Sequence, residues 1–280
     1  MLRVGEAQDV LSMVQLPRAK DGKSCLSFIH IPKTAGGAVE GASLEAHGRE
    51  AKPDSVCWGN STNESPMWGR CDVNVWKCTN YSGGTRQKRG PLCLLPDNMP
   101  TSTPETIRNL ALKDGCSPWH LPPAFEPSLA RYYSEQCDSF CIVRDPMQRL
   151  ISHMRMYHNL QVCDQKKLES LTRSLLNKLD LKDDCHGVPQ VYYVFRDGNP
   201  NAQRICGNVL KYEELNQSFP RLMETYGISQ VKSLPKLHEN MGHCTVRPTP
   251  ATISMVREFY ARDYEAFGYE IPTNSTVIPL

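Results

Sequence analysis

Apolar positions along the chain predict alternating strands and helices. Residues 24–31 form a short apolar run typical of a buried strand, and a turn of small residues and a predicted helix follow it. A second apolar run, at 139–143, precedes a predicted helix that starts at Pro146, a position where helices tolerate proline. One face of that helix carries Leu150, Ile151, Met154 and Tyr157. The same strand, turn and helix unit therefore occurs twice.

The rest of the chain continues this alternation. Further strands are predicted at 191–195 and 209–212, and further helices at 104–113, 127–135, 166–181, 212–226 and 251–267. Strands that alternate with helices favour a parallel sheet that is covered on both faces. The predicted fold class is therefore α/β.

One region interrupts the pattern. Residues from about 48 to 104 are rich in Gly, Pro, Asn, Ser and Trp, contain four cysteines and show little periodicity, which predicts a Cys-rich irregular insertion. A chain of 280 residues with 40% hydrophobic content suits one large domain. We expect a loose N-terminal segment at 1–23, a single domain at 24–272 that includes the insertion, and a tail at 273–280.

Charge and cysteine content narrow the class of protein. The formal net charge is +2, so we expect no nucleic-acid partner, and any anion site must be local. Twelve cysteines are typical of disulfides formed in an oxidising compartment. Zinc is the alternative, but no CxxC pair occurs. Cys141 in the run FCIV has the sequence context of a small buried hydrophobe, and proximity alone suggests that Cys185 pairs with Cys163 or Cys206.

Glycosylation sequons add to the case for the secretory pathway. Five Asn-x-Ser/Thr motifs occur, beginning at Asn60, Asn63, Asn80, Asn216 and Asn274. No segment of this sequence resembles a signal peptide or reaches the roughly 18 apolar residues of a membrane span. We therefore expect a protein of the Golgi lumen or secretory pathway that contacts a membrane only through an anchor missing from this chain. A protein outside the lumen is the alternative.

The first predicted strand leads into a turn suited to phosphate binding. In FIHIPKTAGG, small residues expose backbone N–H groups before a predicted helix, and Lys33 adds a positive charge. The GxxxxGK[ST] spacing of a P-loop kinase or ATPase is absent. An ordinary glycine-rich connection would explain Gly36 and Gly37, but it would not explain Lys33 beside Thr34.

A second candidate anion site follows the strand at 139–143. Arg144 ends that strand, and Ser152 lies two turns along the next helix. A guanidinium and a hydroxyl that converge on one point can together bind a phosphate group. The alternative is an ion pair between Arg144 and Asp145 at the helix start, with Ser152 as a surface residue.

Together, IPKTAGG and CIVRDPMQRLIS resemble the 5′-phosphosulfate loop and the 3′-phosphate signature of sulfotransferases that use 3′-phosphoadenosine-5′-phosphosulfate (PAPS). The chain is most similar to Golgi carbohydrate O-sulfotransferases such as the heparan sulfate O-sulfotransferases, from about residue 24 to residue 270 outside the insertion. The resemblance implies a P-loop-like parallel sheet flanked by helices, PAPS as donor, no required metal and a carbohydrate acceptor. It also implies a set of nucleotide-binding residues: Pro32, Lys33, Thr34, Ala35, Gly36, Gly37, Arg144 and Ser152.

Transfer to a hydroxyl needs a general base, and histidine titrates in the right range. His120 in CSPWHLPPAF resembles a histidine segment that related enzymes carry between the two nucleotide motifs, so we expect His120 and Lys33 to be catalytic. A purely structural His120 is the alternative, and His30 is the next candidate base. The segment CHGVPQVYYVF resembles one that follows the 3′-phosphate helix, which implies that Gln190 and Tyr193 lie near the acceptor. We also expect His30 to lie near the acceptor.

The sequence thus predicts a PAPS-dependent O-sulfotransferase, and it leaves the acceptor and the oligomeric state open. A catalytically silent protein of the same fold that binds glycans is the main alternative. A nucleotide kinase with an atypical loop is a third, which the missing GxxxxGK[ST] motif disfavours.

Overall fold

The fold is known from a computed structural model. The structure describes residues 26–39, 42, 71–72, 92–93, 120–127, 129–130, 133, 138–158, 164–176, 184–228, 231, 233–234 and 245–279. The predicted loose segment at 1–23, the predicted helix at 104–113 and most of the insertion lie outside these residues.

Three strands of the described part form a central sheet. The strands are β1 (Leu26–Ile29), β2 (Cys71–Asp72), β3 (Leu92–Cys93), β4 (Asp138–Val143), β5 (Asn208–Lys211), β6 (Thr245–Val246) and β7 (Ile278–Pro279). β1, β4 and β5 are parallel and lie in the order β1-β4-β5, whereas β2 with β3 and β6 with β7 form separate antiparallel pairs. Parallel neighbours require long crossovers, and helices lie between β4 and β5. The predicted α/β class with a parallel sheet is confirmed.

The described helices flank this sheet. They are α1 (Pro146–Tyr157), α2 (Gln165–Leu175), α3 (Val191–Val194), α4 (Leu215–Thr225), α5 (Pro250–Phe259) and α6 (Ala261–Phe267). Residues 36–39 are also helical, as are Pro127, Leu129, Ala130 and Tyr133 within the predicted helix at 127–135. None of the helices in this part of the chain is long and apolar enough to cross a membrane.

Successive residues of a strand point to opposite faces of a sheet. Both faces of this sheet are covered by helices, so side chains on both faces are buried. Phe28 and Leu210 belong to a buried cluster that includes residues of α4 and the helical segment 36–39. Ile29 and Val143 belong to a second cluster, with α3. A third cluster joins α1, α2 and α5. This packing holds the C-terminal ends of β1 and β4 in place. The predicted phosphate-binding residues come directly after these two strands in the chain.

The predicted strand at 191–195 is wrong, because Val191–Val194 is one turn of helix, α3. The run VYYVF is rich in strand-forming residues, but the buried carboxylate of Asp263 accepts hydrogen bonds from the backbone N–H groups of Gln190 and Val191. These are N–H groups that a helix start leaves without partners in the helix. A distant residue therefore stabilises the helical turn.

The other predicted elements differ mainly at their ends. The helix predicted at 251–267 is two helices, α5 and α6, which meet at Tyr260. The helix predicted at 212–226 begins with a 3-10 turn at Tyr212–Glu214 and continues as α4. The helix predicted at 166–181 is described as α2, Gln165–Leu175.

Cysteine pairing corrects two expectations. Cys141 is bonded to Cys206 in a disulfide that closes a span of 65 positions, so Cys141 is more than a small buried hydrophobe. The suggested pairing of Cys185 with Cys206 is wrong for the same reason. Cys185 is itself disulfide-bonded, and its pairing with Cys163 stays a prediction.

Candidate nucleotide and histidine site

The turn after β1 has a left-handed backbone at two residues that are not glycine. Lys33 has a φ of 68° and Ala35 a φ of 75°. Each such residue stores on the order of 1–3 kcal/mol of strain, and such residues cluster at ligand-binding sites. The carbonyl of Ala35 accepts hydrogen bonds from the N–H groups of Ala38 and Val39, so helical structure starts immediately after the turn.

Packing explains two small residues of the turn. A Cβ atom at Gly36 would lie 2.0 Å from Nε2 of His30, so only glycine fits against that imidazole. A Cβ atom at Gly37 would meet nothing within 4 Å, so Gly37 borders open space. Thr34 is completely buried, and its hydroxyl donates to the carbonyl of Ile31 at 2.8 Å. The Thr34 side chain therefore holds the turn from inside.

Arg144, at the end of β4, extends its guanidinium to this turn. Nη1 of Arg144 lies 3.4 Å from the carbonyl oxygen of Lys33, and the guanidinium stacks 4.1 Å from the centre of the Tyr212 ring. The buried Nε has no hydrogen-bond partner. Burial lowers the pKa of Arg144, although Tyr212 and Glu213 oppose that effect. A buried donor without a partner is rare in native proteins and indicates an unfilled acceptor position.

Lys33 is the second cation of this region. Its Nζ lies 2.8 Å from Sδ of Met156 and 5.7 Å from the centre of the Tyr157 ring. Burial, followed by repulsion from Arg144, lowers the pKa of Lys33 to about 8. Among the described residues, neither Lys33 nor Arg144 has a carboxylate within ion-pair distance. Lys33 and Arg144 therefore bring two cations to one turn, and among the described residues only the longer-range charges of Glu213 and Asp145 oppose that of Arg144.

Ser152 lies on the side of α1 that carries Met156, the residue that contacts Lys33. Residues four apart on a helix share a face, so Ser152 is adjacent to Met156, which contacts Lys33. Ser152 is half-buried and no hydrogen bond of its hydroxyl is seen within the described structure. The structure thus brings Ser152 to the face of α1 that borders Lys33, and a direct contact between Ser152 and Arg144 is not seen.

His120 pairs with an acid that the sequence reasoning missed. Nδ1 of His120 lies 2.8 Å from Oδ2 of Asp184, and the His120 ring packs edge-on against both His30 and His186. Asp184 has a φ of 53° and the next residue, Cys185, a φ of 59°, a strained pair that aims the carboxylate at the imidazole. A carboxylate that accepts a hydrogen bond from Nδ1–H leaves Nε2 as the basic atom.

His186 extends the cluster inward. Its Nε2 is buried without a hydrogen-bond partner and lies 3.9 Å from Oδ2 of Asp184. Its Nδ1 lies 3.0 Å from Nδ1 of His153 on α1. Burial, followed by repulsion from His120, holds the pKa of His186 far below its usual value, so the ring is neutral. The spacing Asp-x-His at 184–186 was the available sequence signal.

Gln190 and Tyr193, expected near the acceptor, are both fully buried. Gln190 accepts from the backbone N–H of Arg144 through Oε1, at 2.9 Å, and donates through Nε2 to the Arg144 carbonyl, at 2.8 Å. The Tyr193 hydroxyl donates to the carbonyls of His120 and Cys185. Both side chains position the candidate site residues, and their contact with an acceptor stays a prediction.

Asp263 on α6 holds Gln190 in place through hydrogen bonds. It accepts from the backbone N–H and from Nε2 of Gln190, at 2.9 and 3.3 Å. Complete burial raises the pKa of Asp263 to about 6, while the hydrogen bonds from Gln190 and the charge of Arg149 oppose that rise. The amphipathic pattern of the C-terminal helix gave no sign of this role.

Arg149 is a further residue that sequence reasoning missed. It is 1% exposed and donates to three backbone carbonyls, those of Pro32, Val188 and His186, each at 2.9 Å. It therefore ties α1 to both the turn and the histidine segment. The signal was its place among buried positions of α1, where a charged side chain needs internal partners.

The arrangement has two chemically distinct parts. Lys33 and Arg144 bring two positive charges to one turn, an arrangement that can bind an anion with more than one negative group. His120 and Asp184 form a histidine-acid pair that can remove a proton from a hydroxyl. His120, Asp184 and His186 together offer three ligand atoms that lie within 4.8 Å of one another.

Comparison with protein-family models, curated proteins and solved structures found no match.

Proposed function

We propose that this protein is a sulfotransferase that transfers a sulfuryl group from PAPS to a hydroxyl of a carbohydrate acceptor. The observation that carries the proposal is the meeting of Lys33 and Arg144 at one turn, without a paired carboxylate among the described residues. Both side chains are half-buried, and a cation that is partly withdrawn from water is normally paired. An anionic ligand that binds between them would supply the missing charge.

The two cations take different parts of the nucleotide in this proposal. The turn of residues 32–37 and Lys33 bind the 5′-phosphosulfate, for which the strained backbone at Lys33 and Ala35 orients N–H groups. Arg144 binds the 3′-phosphate, with its unpartnered Nε as a donor, and Ser152 contributes a hydroxyl. The stacking of Arg144 on Tyr212 restricts the guanidinium to one plane, which suits bidentate binding of a phosphate.

His120 is the general base of the proposed reaction. Asp184 holds Nδ1 of His120 as a donor, so Nε2 takes the acceptor proton. The acceptor oxygen forms a bond to sulfur as the bond from sulfur to the 5′-phosphate oxygen breaks. The products are a sulfate ester, adenosine 3′,5′-bisphosphate and protonated His120. Lys33 stabilises the charge that develops on the departing phosphate oxygen, so this chemistry has no required metal.

Calorimetric titration with adenosine 3′,5′-bisphosphate tests the nucleotide site. We expect the folded wild-type chain to bind it, and Lys33→Ala and Arg144→Ala each to bind at least ~10-fold more weakly, in line with the loss of a charge-assisted hydrogen bond. Arg257→Ala, which removes an exposed arginine of α5, is the matched control and is expected to bind like the wild type. ATP is expected to bind more weakly because it lacks a 3′-phosphate.

Two results would overturn the proposal. The first is no binding of adenosine 3′,5′-bisphosphate by folded wild-type chain, which would favour a catalytically silent protein. The second is equal binding of ATP together with Mg²⁺-dependent phosphoryl transfer, which would favour a kinase. With binding established, His120→Ala is expected to retain nucleotide affinity and to abolish sulfation in an acceptor screen with labelled PAPS.

A further inference from the structure

The proposed base, His120, and two side chains next to it, Asp184 and His186, carry donor atoms of the kind that bind metal ions. One donor atom each from His120, Asp184 and His186 lies within 4.8 Å of the other two. Two of the separations are 2.8 Å, between His120 and Asp184, and 3.9 Å, between His186 and Asp184. The ligands of a tetrahedral zinc ion lie about 3.4 Å apart, given bonds of about 2.0–2.1 Å. The third separation is at most 4.8 Å, so changes of up to about 1.4 Å in these separations would place the three atoms around one ion.

His186 supplies an independent reason to expect a ligand. The residue is 5% exposed, and its Nε2 is buried without a hydrogen-bond partner. Its other nitrogen, Nδ1, lies 3.0 Å from Nδ1 of His153. When Nδ1 of His186 carries the proton and donates it in a hydrogen bond to Nδ1 of His153, Nε2 of His186 carries a lone pair. That lone pair faces Asp184. A buried imidazole acceptor costs free energy unless something occupies it, and an outer partner on Nδ1 is the usual environment of a metal-binding histidine.

The backbone holds the ligand-bearing segments in place. Arg149 donates to the carbonyls of His186 and Val188, and the Tyr260 hydroxyl donates to the carbonyl of Gly187. The Tyr193 hydroxyl bridges the carbonyls of His120 and Cys185, and so ties the two segments together. A site built on a fixed backbone needs little reorganisation to bind an ion.

We propose that His120, Asp184 and His186 bind one divalent transition-metal ion of the zinc class. Two imidazoles and one carboxylate suit Zn²⁺ or Co²⁺ and disfavour Mg²⁺ and Ca²⁺, which take oxygen ligands. Three protein ligands leave a fourth position open to water or an anion. The site stands without the proposed sulfotransferase activity. Where that activity holds, the bound ion occupies the His120–Asp184 pair, removes the base and inhibits transfer.

Titration of the metal-stripped full chain with Co²⁺ and Zn²⁺ tests the site. We expect the d–d absorption of four-coordinate Co²⁺ in the wild-type chain, displacement of that signal by Zn²⁺, and no displacement by Mg²⁺. His186→Ala and Asp184→Asn are each expected to weaken binding by about 100-fold or more, since each removes a direct ligand. His158→Ala is the matched control, since His158 packs on His153 but lies outside the triad, and it is expected to retain wild-type affinity.

The fold of each variant is checked by thermal unfolding, and His186→Gln replaces His186→Ala if the latter fails to fold. Absence of the Co²⁺ signal in folded wild-type chain, or its retention at full affinity in folded His186 and Asp184 variants, overturns the metal site. Titration of the same samples with adenosine 3′,5′-bisphosphate reports separately on the proposed function, because Lys33 and Arg144 are not ligands. Failure of the metal site therefore leaves nucleotide binding unchanged, and failure of nucleotide binding leaves the Co²⁺ absorption unchanged.

Discussion

Arg149 donates from Nε to the carbonyl oxygen of Pro32, 2.9 Å away and 117 positions earlier in the chain. The bond joins the first turn of α1 to the turn after β1, so the two candidate anion-binding motifs share a physical support. The remaining guanidinium nitrogens bond to the segment that carries His186. One buried side chain therefore sets the relative position of the turn, α1 and the histidine cluster.

Arg149→Met is expected to lower the free energy of unfolding by about 3 kcal/mol or more, because it leaves three buried carbonyls without donors. Urea unfolding measures this loss. Arg149→Lys is expected to recover only part of it, since an ammonium lacks the planar fork that reaches all three acceptors. Arg173→Met on α2 is the control, since the exposed pair of Arg173 with Glu169 contributes less than about 1 kcal/mol. Equal stability of Arg149→Met and wild type would contradict this role.

The sequence predicted the elements whose pattern is local. The apolar run at 139–143, Pro146 and the helical face that follows specify β4 and α1 within a few positions. The α3 turn could not be predicted in this way, because Asp263, 72 positions beyond Val191, accepts the N–H groups at its start. A capping partner that arrives from another element leaves no local pattern.

The same limit applies to the candidate site. Lys33 and Arg144 were predictable, because each follows the end of a predicted strand and carries charge next to small or turn-forming residues. Asp184 was not, since its role depends on two left-handed residues that bring it to His120, 64 positions earlier. Likewise, the pairing of Cys141 with Cys206 depends on the register of β4 beside β5 and cannot be derived from spacing.

Nucleotide affinity is expected to depend on the charge of Lys33. The pKa of Lys33 is lowered to about 8 in the free chain, and a bound anion would raise it again. Binding then takes up a proton above about pH 8, so the affinity for adenosine 3′,5′-bisphosphate should fall as pH rises from 8 to 10. Calorimetry at several pH values measures this fall.

Lys33→Arg provides the control for that pH dependence. A guanidinium keeps its charge throughout this range, so the fall in affinity above pH 8 should be absent in the variant. The same shift has a consequence for stability. Unfolded Lys33 titrates near 10.5, so the folded chain binds fewer protons between about 8 and 10.5, and this residue makes stability rise with pH there. If the nucleotide affinity of Lys33→Arg falls above pH 8 as that of the wild type does, another group is responsible for the fall.

Gln190 and Asp263 are expected to act on Arg144 as one unit. Asp263→Asn places an amide group against the N–H donors of Gln190, which releases the Gln190 side chain that holds the Arg144 backbone. We therefore expect Asp263→Asn and Gln190→Ala each to weaken binding of adenosine 3′,5′-bisphosphate, and the double variant to bind no more weakly than the worse single variant. Additive losses would contradict the coupling.

A matched control separates this effect from a general loss of charge. Asp197→Asn removes an exposed carboxylate that, within the described part of the chain, accepts from the nearby N–H of Asn199, and it is expected to leave nucleotide affinity unchanged. Stability adds a second readout. The pKa of Asp263 is raised from 3.8 to about 6, so the folded chain binds more protons in that window, and the contribution of Asp263 to stability falls as pH rises through it. This fall should vanish in Asp263→Asn.

The disulfide between Cys141 and Cys206 is expected to stabilise the sheet chiefly through the unfolded chain. It closes a span of 65 positions, for which chain entropy predicts about 4 kcal/mol. The doubly substituted Cys141→Ala, Cys206→Ala chain should therefore unfold at a clearly lower urea concentration than the wild type under oxidising conditions. Its m-value should be larger, because the unlinked chain exposes more surface when it unfolds.

Reduction provides the test of mechanism for this disulfide. Dithiothreitol should lower the stability of the wild type more than that of the double variant, which retains only the other disulfides, such as that of Cys185. Both cysteines are fully buried, Cys141 within β4 and Cys206 just before β5, so loss of packing contributes as well as loss of the crosslink. Cys141→Val with Cys206→Ala restores buried volume beside β1. If that variant recovers wild-type stability, packing and not the crosslink accounts for the effect.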